Sequence, residues 1–224
     1  YTDYSVGLGS AGISTLQAFA PIFLPGVSGT EVLRTGITLS YPRPPDSFYR
    51  GRTGEGGVAA SIDAYWSASN RDHIFNRYKL TLYQTIPVLW GDRVLALRAE
   101  GIISDARSGK QVPFYLMPEL GGSSNLRGWP THRFRDRDMV LLTTEYRYPL
   151  WNVGLSTGSA LEAVWFADAG MVYRNLERDF SFDSLAANYG FGLRIRNYLG
   201  LIMRFNLPRS SEATVFSFKA GKEF

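Results

Sequence analysis

The side chains best suited to specific chemistry are one arginine and two acids between residues 120 and 168. Arg127 lies within the stretch 121–130 (GGSSNLRGWP), whose glycines, serines and asparagine predict a loop. Glu145 and Asp168 lie in two alternating segments that follow this loop. A planar, permanently charged guanidinium can bridge two carboxylates with several donors. The loop therefore either folds back and docks Arg127 on both acids, or carries Arg127 into solvent while the acids face water.

Other catalytic chemistry has little support in the sequence. The chain has two histidines and no cysteine, and no ligand spacing indicates a metal or a cofactor. His132 precedes Asp136 and Asp138, and Ser123 and Ser124 are near in sequence, so a hydrolase with His132 as base is one alternative. No motif surrounds either serine, and we therefore expect no enzymatic activity.

Period-two alternation predicts the strands that must position these residues. The predicted strands are 1–12, 30–41, 58–66, 78–88, 93–103, 139–150, 161–173, 188–196, 201–207 and 214–224. Residues 16–23 are an eleventh candidate, which Pro21 and Pro25 weaken. Because bacterial single-chain barrels close with even strand numbers, we predict about ten strands, with twelve as the alternative.

Each predicted strand has one aliphatic and aromatic face and one face of charged or small residues. A soluble sandwich also alternates, so periodicity alone does not say which face lies inside. Phe224 ends the chain, and Phe216 and Phe218 share its face. This ending resembles the C-terminal signal of bacterial outer-membrane barrels, whose apolar face meets lipid. We therefore predict an all-β fold, a transmembrane antiparallel up-and-down β-barrel.

Length and composition fit this class. A chain of 224 residues suits one domain, and its aromatic content of 14% is high. It lacks the run of about 18 apolar residues that a membrane-spanning helix needs, but barrel strands need only about 10 alternating residues. The net charge of +4 is too small to indicate nucleic acid, although it is compatible with anionic lipid headgroups. The first residue is not Met, so we expect a mature form or a fragment.

The segment from Leu120 to Asp168 resembles the BamA-type barrels, a superfamily of outer-membrane assembly proteins and two-partner-secretion transporters that includes the bacterial surface antigens. The resemblance covers residues 35–224 and is strongest over 113–170. Its loop motif is aliphatic-Arg-Gly-aromatic, with Trp here where Phe or Tyr is commoner. The matching residues are Leu126, Arg127, Gly128 and Trp129 in the loop; Arg133, Phe134 and Asp136 after it; Glu145, Tyr146 and Arg147; and Phe166, Asp168 and Gly170.

The resemblance implies that the long loop folds into the barrel lumen. It favours docking of Arg127 on a wall formed by Glu145, Phe166, Asp168 and Gly170. Gly128 would allow a tight turn, and Trp129 would pack against the wall. The resemblance also implies that Arg133 and Asp136 are structural within the loop, whereas we expect Arg135 and Arg137 to be solvated. Five further arginines share the polar strand face, and we expect them to pair with nearby acids: Arg98, Arg147, Arg194, Arg196 and Arg204 with Glu100, Glu145, Glu162 and Asp168.

The resemblance also implies a place and a function. Family barrels usually have about sixteen strands and carry soluble POTRA modules. We therefore expect residues 1–224 to be the barrel domain at the C-terminal end of a longer precursor, with a reduced relative as the alternative. The expected location is the outer membrane of a Gram-negative bacterium. The expected partners are outer-membrane lipids including lipopolysaccharide, unfolded outer-membrane or secreted polypeptides, and accessory lipoproteins, but no nucleic acid.

The expected activity is insertion of outer-membrane proteins, or translocation of polypeptides, without ATP. A weakly paired seam between residues 4–10 and 214–224 would template a client strand, and Gly221 would weaken the seam further. The alternative from another class is a small diffusion pore or structural barrel without clients, in which the loop only narrows the lumen. The hydrolase with His132 as base is the second alternative.

Overall fold

The fold is an antiparallel sheet whose strands are neighbours in the order of the sequence. The computed structural model describes residues 2–4, 30–42, 54–67, 72–88, 93–106, 109–153, 159–196 and 201–222. Its strands are β1 (Thr2–Tyr4), β2 (Thr30–Tyr41), β3 (Gly56–Ser67), β4 (Ile74–Pro87), β5 (Val94–Ala106), β6 (Glu119–Leu120), β7 (Phe134–Arg135), β8 (Asp138–Val153), β9 (Ser159–Tyr173), β10 (Ala186–Arg196), β11 (Leu201–Arg209) and β12 (Ser217–Lys222). The hairpin β6–β7 stands apart from the main sheet, which runs β1-β2-β3-β4-β5-β8-β9-β10-β11-β12.

Within the described ranges, helical structure is confined to connections. Two 3₁₀ turns span Phe114–Leu116 and Phe182–Ser184, and one short helix, α1, spans Leu176–Asp179. No helix in the described ranges is long and apolar enough to cross a membrane.

The prediction of an all-β antiparallel fold is confirmed. The main sheet has nine strands of at least six residues, together with the three-residue β1 at its first edge. In the described part of the chain no ladder joins β1 to β12, so closure and the total strand number stay predictions. Residues 16–23, most of 1–12 and Phe224 lie outside the described residues.

The two faces of the sheet differ sharply in polarity. The face here called the outer face carries large apolar side chains in the open, including Ile37 at 71% exposure and Phe191 at 57%. The opposite, inner face carries buried charged and amide side chains: Asp63, Glu100, Glu145, Arg147, Glu162, Asp168, Asn188, Arg194, Arg204 and Asn206. A sheet whose exposed face is apolar and whose covered face is charged has the polarity of a membrane barrel rather than a soluble sandwich.

The connection between β5 and β8 crosses the inner face. Its first part packs Val112 and Leu116 against Val32, Tyr65 and Phe75 of β2, β3 and β4. Its second part forms another apolar cluster over β8, which contains Leu120, Leu126, Trp129, Met139 and Leu141. Leu120 and Leu126 are fully buried, and burial of each side chain contributes roughly 1.5–3 kcal/mol to the free energy of folding. These two clusters hold the loop, residues 109–137, against the wall at one end of the sheet.

If the outer face contacts lipid, an introduced charge should reduce stability more at the centre of the bilayer than near its surface. Phe191 is the central residue of β10 and lies on its outer face, so Phe191→Arg would place a charge near the bilayer midplane. We expect a loss of about 2–4 kcal/mol in the free energy of unfolding, measured by urea titration in lipid vesicles. The matched variant Ile195→Arg, four residues further along β10 and next to its last residue, should lose about 0–1 kcal/mol. Equal losses would contradict the assignment of the outer face to lipid.

Candidate functional site

Arg127 is buried at the contact between the loop and the inner face, with 3% of the residue exposed. Its Nε and Nη2 donate to Oδ2 and Oδ1 of Asp168 at 2.8 and 2.7 Å. Its Nη1 donates to Oε1 of Glu145 at 2.6 Å. The guanidinium therefore holds one carboxylate with two parallel hydrogen bonds and a second with one, and these carboxylates lie on adjacent strands.

The second oxygen of Glu145 extends the cluster along the wall. Oε2 of Glu145 accepts from Nη2 of Arg194 at 2.8 Å and from Nε of Arg147 at 3.1 Å. Arg194 also lies 3.6 Å from the carboxylate of Glu162. The cluster thus balances three arginines against three acids: Arg127, Arg147 and Arg194 with Glu145, Glu162 and Asp168. Balance matters because a buried charge without a partner costs several kcal/mol.

The remaining wall residues fit the arginine by shape. The ring centroid of Phe166 lies 3.7 Å from Cζ of Arg127, which is a close cation–π contact. Gly190 is paired with Phe166 in the neighbouring strand, and a Cβ there would lie 2.7 Å from the ring. At Gly170 a Cβ would lie 2.8 Å from the carbonyl oxygen of Val140 and 3.0 Å from Leu120 of the loop. Both glycines therefore leave room for a neighbouring chain segment.

Local turns hold the loop that presents Arg127. Gly121 and Gly122 have φ of 116° and 99°, which only glycine adopts without strain. The side-chain oxygen of Asn125 accepts from the backbone N–H of Gly121 at 2.9 Å, and its amide donates to the Glu119 carbonyl at 3.2 Å. The Gly122 N–H donates to the carbonyl of Trp129 at 2.9 Å. These hydrogen bonds hold the backbone on both sides of Arg127 independently of the contacts of its guanidinium.

Gly128 lies in the predicted tight turn, in which the N–H of Trp129 donates to the carbonyl of Leu126 at 3.1 Å. Its φ is not in the left-handed region, so the turn itself does not require glycine. A Cβ on Gly128 would lie 2.7 Å from Cβ of Asn188 and 3.2 Å from the backbone nitrogen of Ser210. Glycine is needed because the loop backbone approaches β10 and the β11–β12 connection this closely. Asn188 also donates to Asp168 at 2.9 Å, a contact that sequence reasoning missed.

Trp129 completes the contact with β10. Its indole N–H donates to the carbonyl of Ala187 at 3.3 Å. Its ring meets the edge of Phe134, with centroids 5.0 Å apart. The structure thus brings together the loop residues Leu126, Arg127, Gly128 and Trp129 with the wall residues Glu145, Phe166, Asp168 and Gly170.

The residues that follow the motif link the loop to its surroundings. Arg133 is partly exposed and pairs with Glu212 of the β11–β12 connection at 2.7 Å. This pairing raises the pKa of Arg133 and lowers the pKa of Glu212. Asp136 accepts from Nε of Arg174 at 3.0 Å, beyond the end of β9. Both residues therefore connect the loop with neighbouring connections, and Asp136 also accepts from the backbone N–H of Arg137 within the loop at 2.8 Å.

The expectation of a solvated loop base is wrong for Arg135. Its guanidinium pairs with the carboxylate of Glu119 and donates to the carbonyl of Phe114 at 2.8 Å. Arg137 is likewise only partly exposed, at 39% of its side chain, and it donates to Asp138 at 3.2 Å and to the carbonyl of Arg174. Residue type and spacing do not show these partners, because they come from the β6–β7 hairpin and from the end of β9.

The other inner-face arginines show a mixed outcome. Arg98 pairs with Glu100, which also binds Lys79 at 2.9 Å. Asp168 receives Arg127 and Asn188 instead of a wall arginine. Arg204 is buried, and the side chain of Arg196 lies outside the described residues.

The histidine proposed as a catalytic base and the phenylalanines of the C-terminal signal lie outside the Arg127 cluster. His132 is exposed and its Nδ1 pairs with the carboxylate of Glu119. Its contact is therefore not with the acids that the hydrolase hypothesis invoked. The described residues contain no group of His, Cys, Asp and Glu that could hold a metal. Phe216 and Phe218 are exposed, and Phe218 lies 4.8 Å from Phe205 between ring centroids.

Comparisons with known proteins agree with this geometry. The family model described as "Omp85 superfamily domain" matches residues 53–224. Among solved structures, the chain is similar to BamA from Haemophilus ducreyi lacking POTRA domains 1–3, with a TM-score of 0.58 and 15% identity. That match covers 75% of this chain and only 38% of the BamA chain. A search of curated proteins found no match.

The buried cluster predicts a large effect of Arg127→Ala. Removing the guanidinium leaves Asp168 and part of Glu145 buried without their cation, so we expect the free energy of unfolding to fall by about 3–5 kcal/mol. Urea titration of the folded protein in detergent micelles measures this loss. Arg133→Ala is the matched control, because it removes an arginine of the same loop whose partner is exposed, and it should change the midpoint little. Equal midpoints for the two variants would contradict the assigned burial.

Proposed function

Because the chain belongs to the Omp85 superfamily, we propose that its sheet closes into a lipid-facing barrel that guides polypeptide clients at the seam between its edge strands. Family membership places the chain in the bacterial outer membrane and in protein transport and membrane-protein assembly. The chain spans 38% of the matched BamA chain. The expected barrel has about ten strands, with residues 109–137 inside its lumen.

The bridge from Arg127 to Asp168 and Glu145 is the observation that carries this proposal. It fastens the loop to β8 and β9, and Gly128 and Trp129 extend the contact to β10. Releasing the loop would separate buried opposite charges, at a cost of about 3–5 kcal/mol for one pair. The loop therefore acts as a fixed plug and brace of the lumen, and the central strands are the least able to move apart.

The strands at the edges of the sheet are the ones that can separate or pair with a client. β12 contributes only six residues, whereas β8 and β9 contribute sixteen and fifteen. A strand paired on one side presents unsatisfied N–H and C=O groups, to which an extended peptide can add as a further strand. We infer that β12 and the first strands form a seam where a client strand pairs. The clients are unfolded outer-membrane or secreted polypeptides, and the process needs no ATP.

The partners follow from the same arrangement. The apolar outer face contacts outer-membrane lipids including lipopolysaccharide, and accessory lipoproteins would bind exposed connections outside the lipid. The main alternative is a diffusion pore without clients. Its support is the loop across the inner face, which would narrow a lumen in either case. The two functions differ only in what the seam does.

Loop release makes a prediction about conductance. In planar lipid bilayers, Arg127→Ala should raise the single-channel conductance, because the unpinned loop would leave part of the lumen open. Arg133→Ala should behave like the parent chain. An unchanged conductance in Arg127→Ala, with loop destabilisation demonstrated by limited proteolysis, would contradict the plug.

Pairing with a client makes a second prediction. The chain lacks cysteine, so single cysteines can be introduced without interference. Ala220→Cys in β12 should form a disulfide with a cysteine in the terminal strand of an unfolded barrel client during its insertion into proteoliposomes. Ala167→Cys is the matched control, since it is equally exposed but lies in β9, which is paired on both sides. Equal crosslinking at both positions would contradict a client-pairing seam and favour the pore.

A further inference from the structure

A second connection lies on the opposite side of the wall from the plug loop. Met171 and Tyr173, near the end of β9, have the same orientation as Trp165, which is 51% exposed on the outer face. Both are nevertheless buried. Ser184 lies beside Met171, with its Oγ 3.9 Å from the sulfur. The segment 174–185 therefore folds back over the outer face, where it covers the last two outward side chains of β9.

This segment is built to hold that position. The carboxylate of Asp179 accepts from the backbone N–H groups of Arg174 and Asn175, both at 2.9 Å. Ser181 and Ser184 exchange reciprocal side-chain and backbone hydrogen bonds at 3.1 Å. The segment thus pairs most of its backbone N–H groups internally, which lowers the cost of placing the chain beside hydrocarbon.

Among its exposed side chains the segment presents three large apolar ones beside several charged ones. Leu176 and Phe180 are 48% exposed, and Phe182 is 83% exposed. The rings of Phe180 and Phe182 meet edge to face with centroids 5.7 Å apart. Such a cluster is costly in water, whereas aromatic side chains at the rim of a membrane barrel are stabilised at the headgroup level.

A groove of about 790 Å³ runs between this segment and the strands, which is within the size range of sites for small ligands. Its walls are largely apolar side chains of the outer face and of α1: Ile62, Leu80, Ile103, Val140, Leu176 and Phe180. Leu80 is at the middle of β4, so the groove extends from the rim toward the centre of the sheet. A Cβ on Gly101, which also lines the groove, would meet nothing within 4 Å.

We propose that the segment 174–185 is an interfacial anchor, and that its groove holds one acyl chain of a membrane lipid. The outer face continues directly into the groove, so a hydrocarbon chain can enter from the bilayer without crossing a polar surface. Arg174 ties the anchor to Asp136 at the stem of the plug loop at 3.0 Å. The inference rests on outer-membrane placement and not on the handling of clients.

Lipid contact can be measured with single cysteines in this cysteine-free chain. Phe182→Cys, labelled with bimane and reconstituted in phosphatidylcholine vesicles, should lose fluorescence when the acyl chains are brominated. Leu142→Cys, on the outer face of β8, is the lipid-facing reference, and His132→Cys, on the plug loop, is the aqueous reference. Quenching at Leu142 but not at Phe182 would overturn the anchor alone. Absence of quenching at both Leu142 and Phe182 would instead contradict the assignment of the outer face to lipid.

Occupation of the groove has its own test. Gly101→Phe should fill the groove without a backbone clash, and native mass spectrometry of the protein extracted from phosphatidylcholine vesicles should then show the loss of a retained lipid. Ala167→Phe adds the same ring to the outer face away from the groove and should retain it. Equal lipid retention in the two variants, or a groove occupied by a polypeptide segment of this chain, would overturn the proposed acyl-chain site.

Discussion

A buried guanidinium has to be neutralised where it lies, and this constraint organises the inner face of the sheet. Arg127 brings a positive charge into a site where its side chain and both carboxylates are almost fully covered. Two acids from adjacent strands meet it, and Arg147 and Arg194, together with Glu162, complete a cluster of three arginines and three acids. Each member would be unfavourable alone, so the loop and three central strands are stable only together.

The same polarity explains why the two long connections take opposite sides of the wall. The connection between β5 and β8 carries the charge that the inner face can neutralise, and it lies there. The connection between β9 and β10 carries the apolar side chains Leu176, Phe180 and Phe182, and Leu176 and Phe180 lie beside the apolar side chains of the outer face. The ion pair between Asp136 and Arg174 joins the two connections at the rim. Plug and anchor are therefore fixed relative to one another at one end of the sheet.

Much of the strand arrangement was predictable because alternation is a local property of the chain. The strand predicted at 30–41 is β2, and the strand predicted at 58–66 differs from β3 by two residues at its start and one at its end. The contacts of Arg135 and Asn188 were not predictable in this way. Arg135 lies opposite its partner Glu119 in the short hairpin β6–β7, whose strands have two residues each. Asn188 meets Asp168 only because β9 and β10 are adjacent in this register. Gly128 was likewise identified by its motif, but the sequence did not show that the loop backbone approaches Asn188 and Ser210 so closely that only glycine fits.

The all-β class, the alternating faces, the loop motif and its acidic partners could be inferred from the order of the amino acids. This was possible because period-two patterning and residue chemistry are local properties of the chain. Which face is covered was established by the fold, since alternation is the same for either choice and only the resemblance of the chain end favoured an apolar exterior. The fold also decided how a single guanidinium is shared between two carboxylates, because that depends on the register between β8 and β9 and on the path of the loop across them.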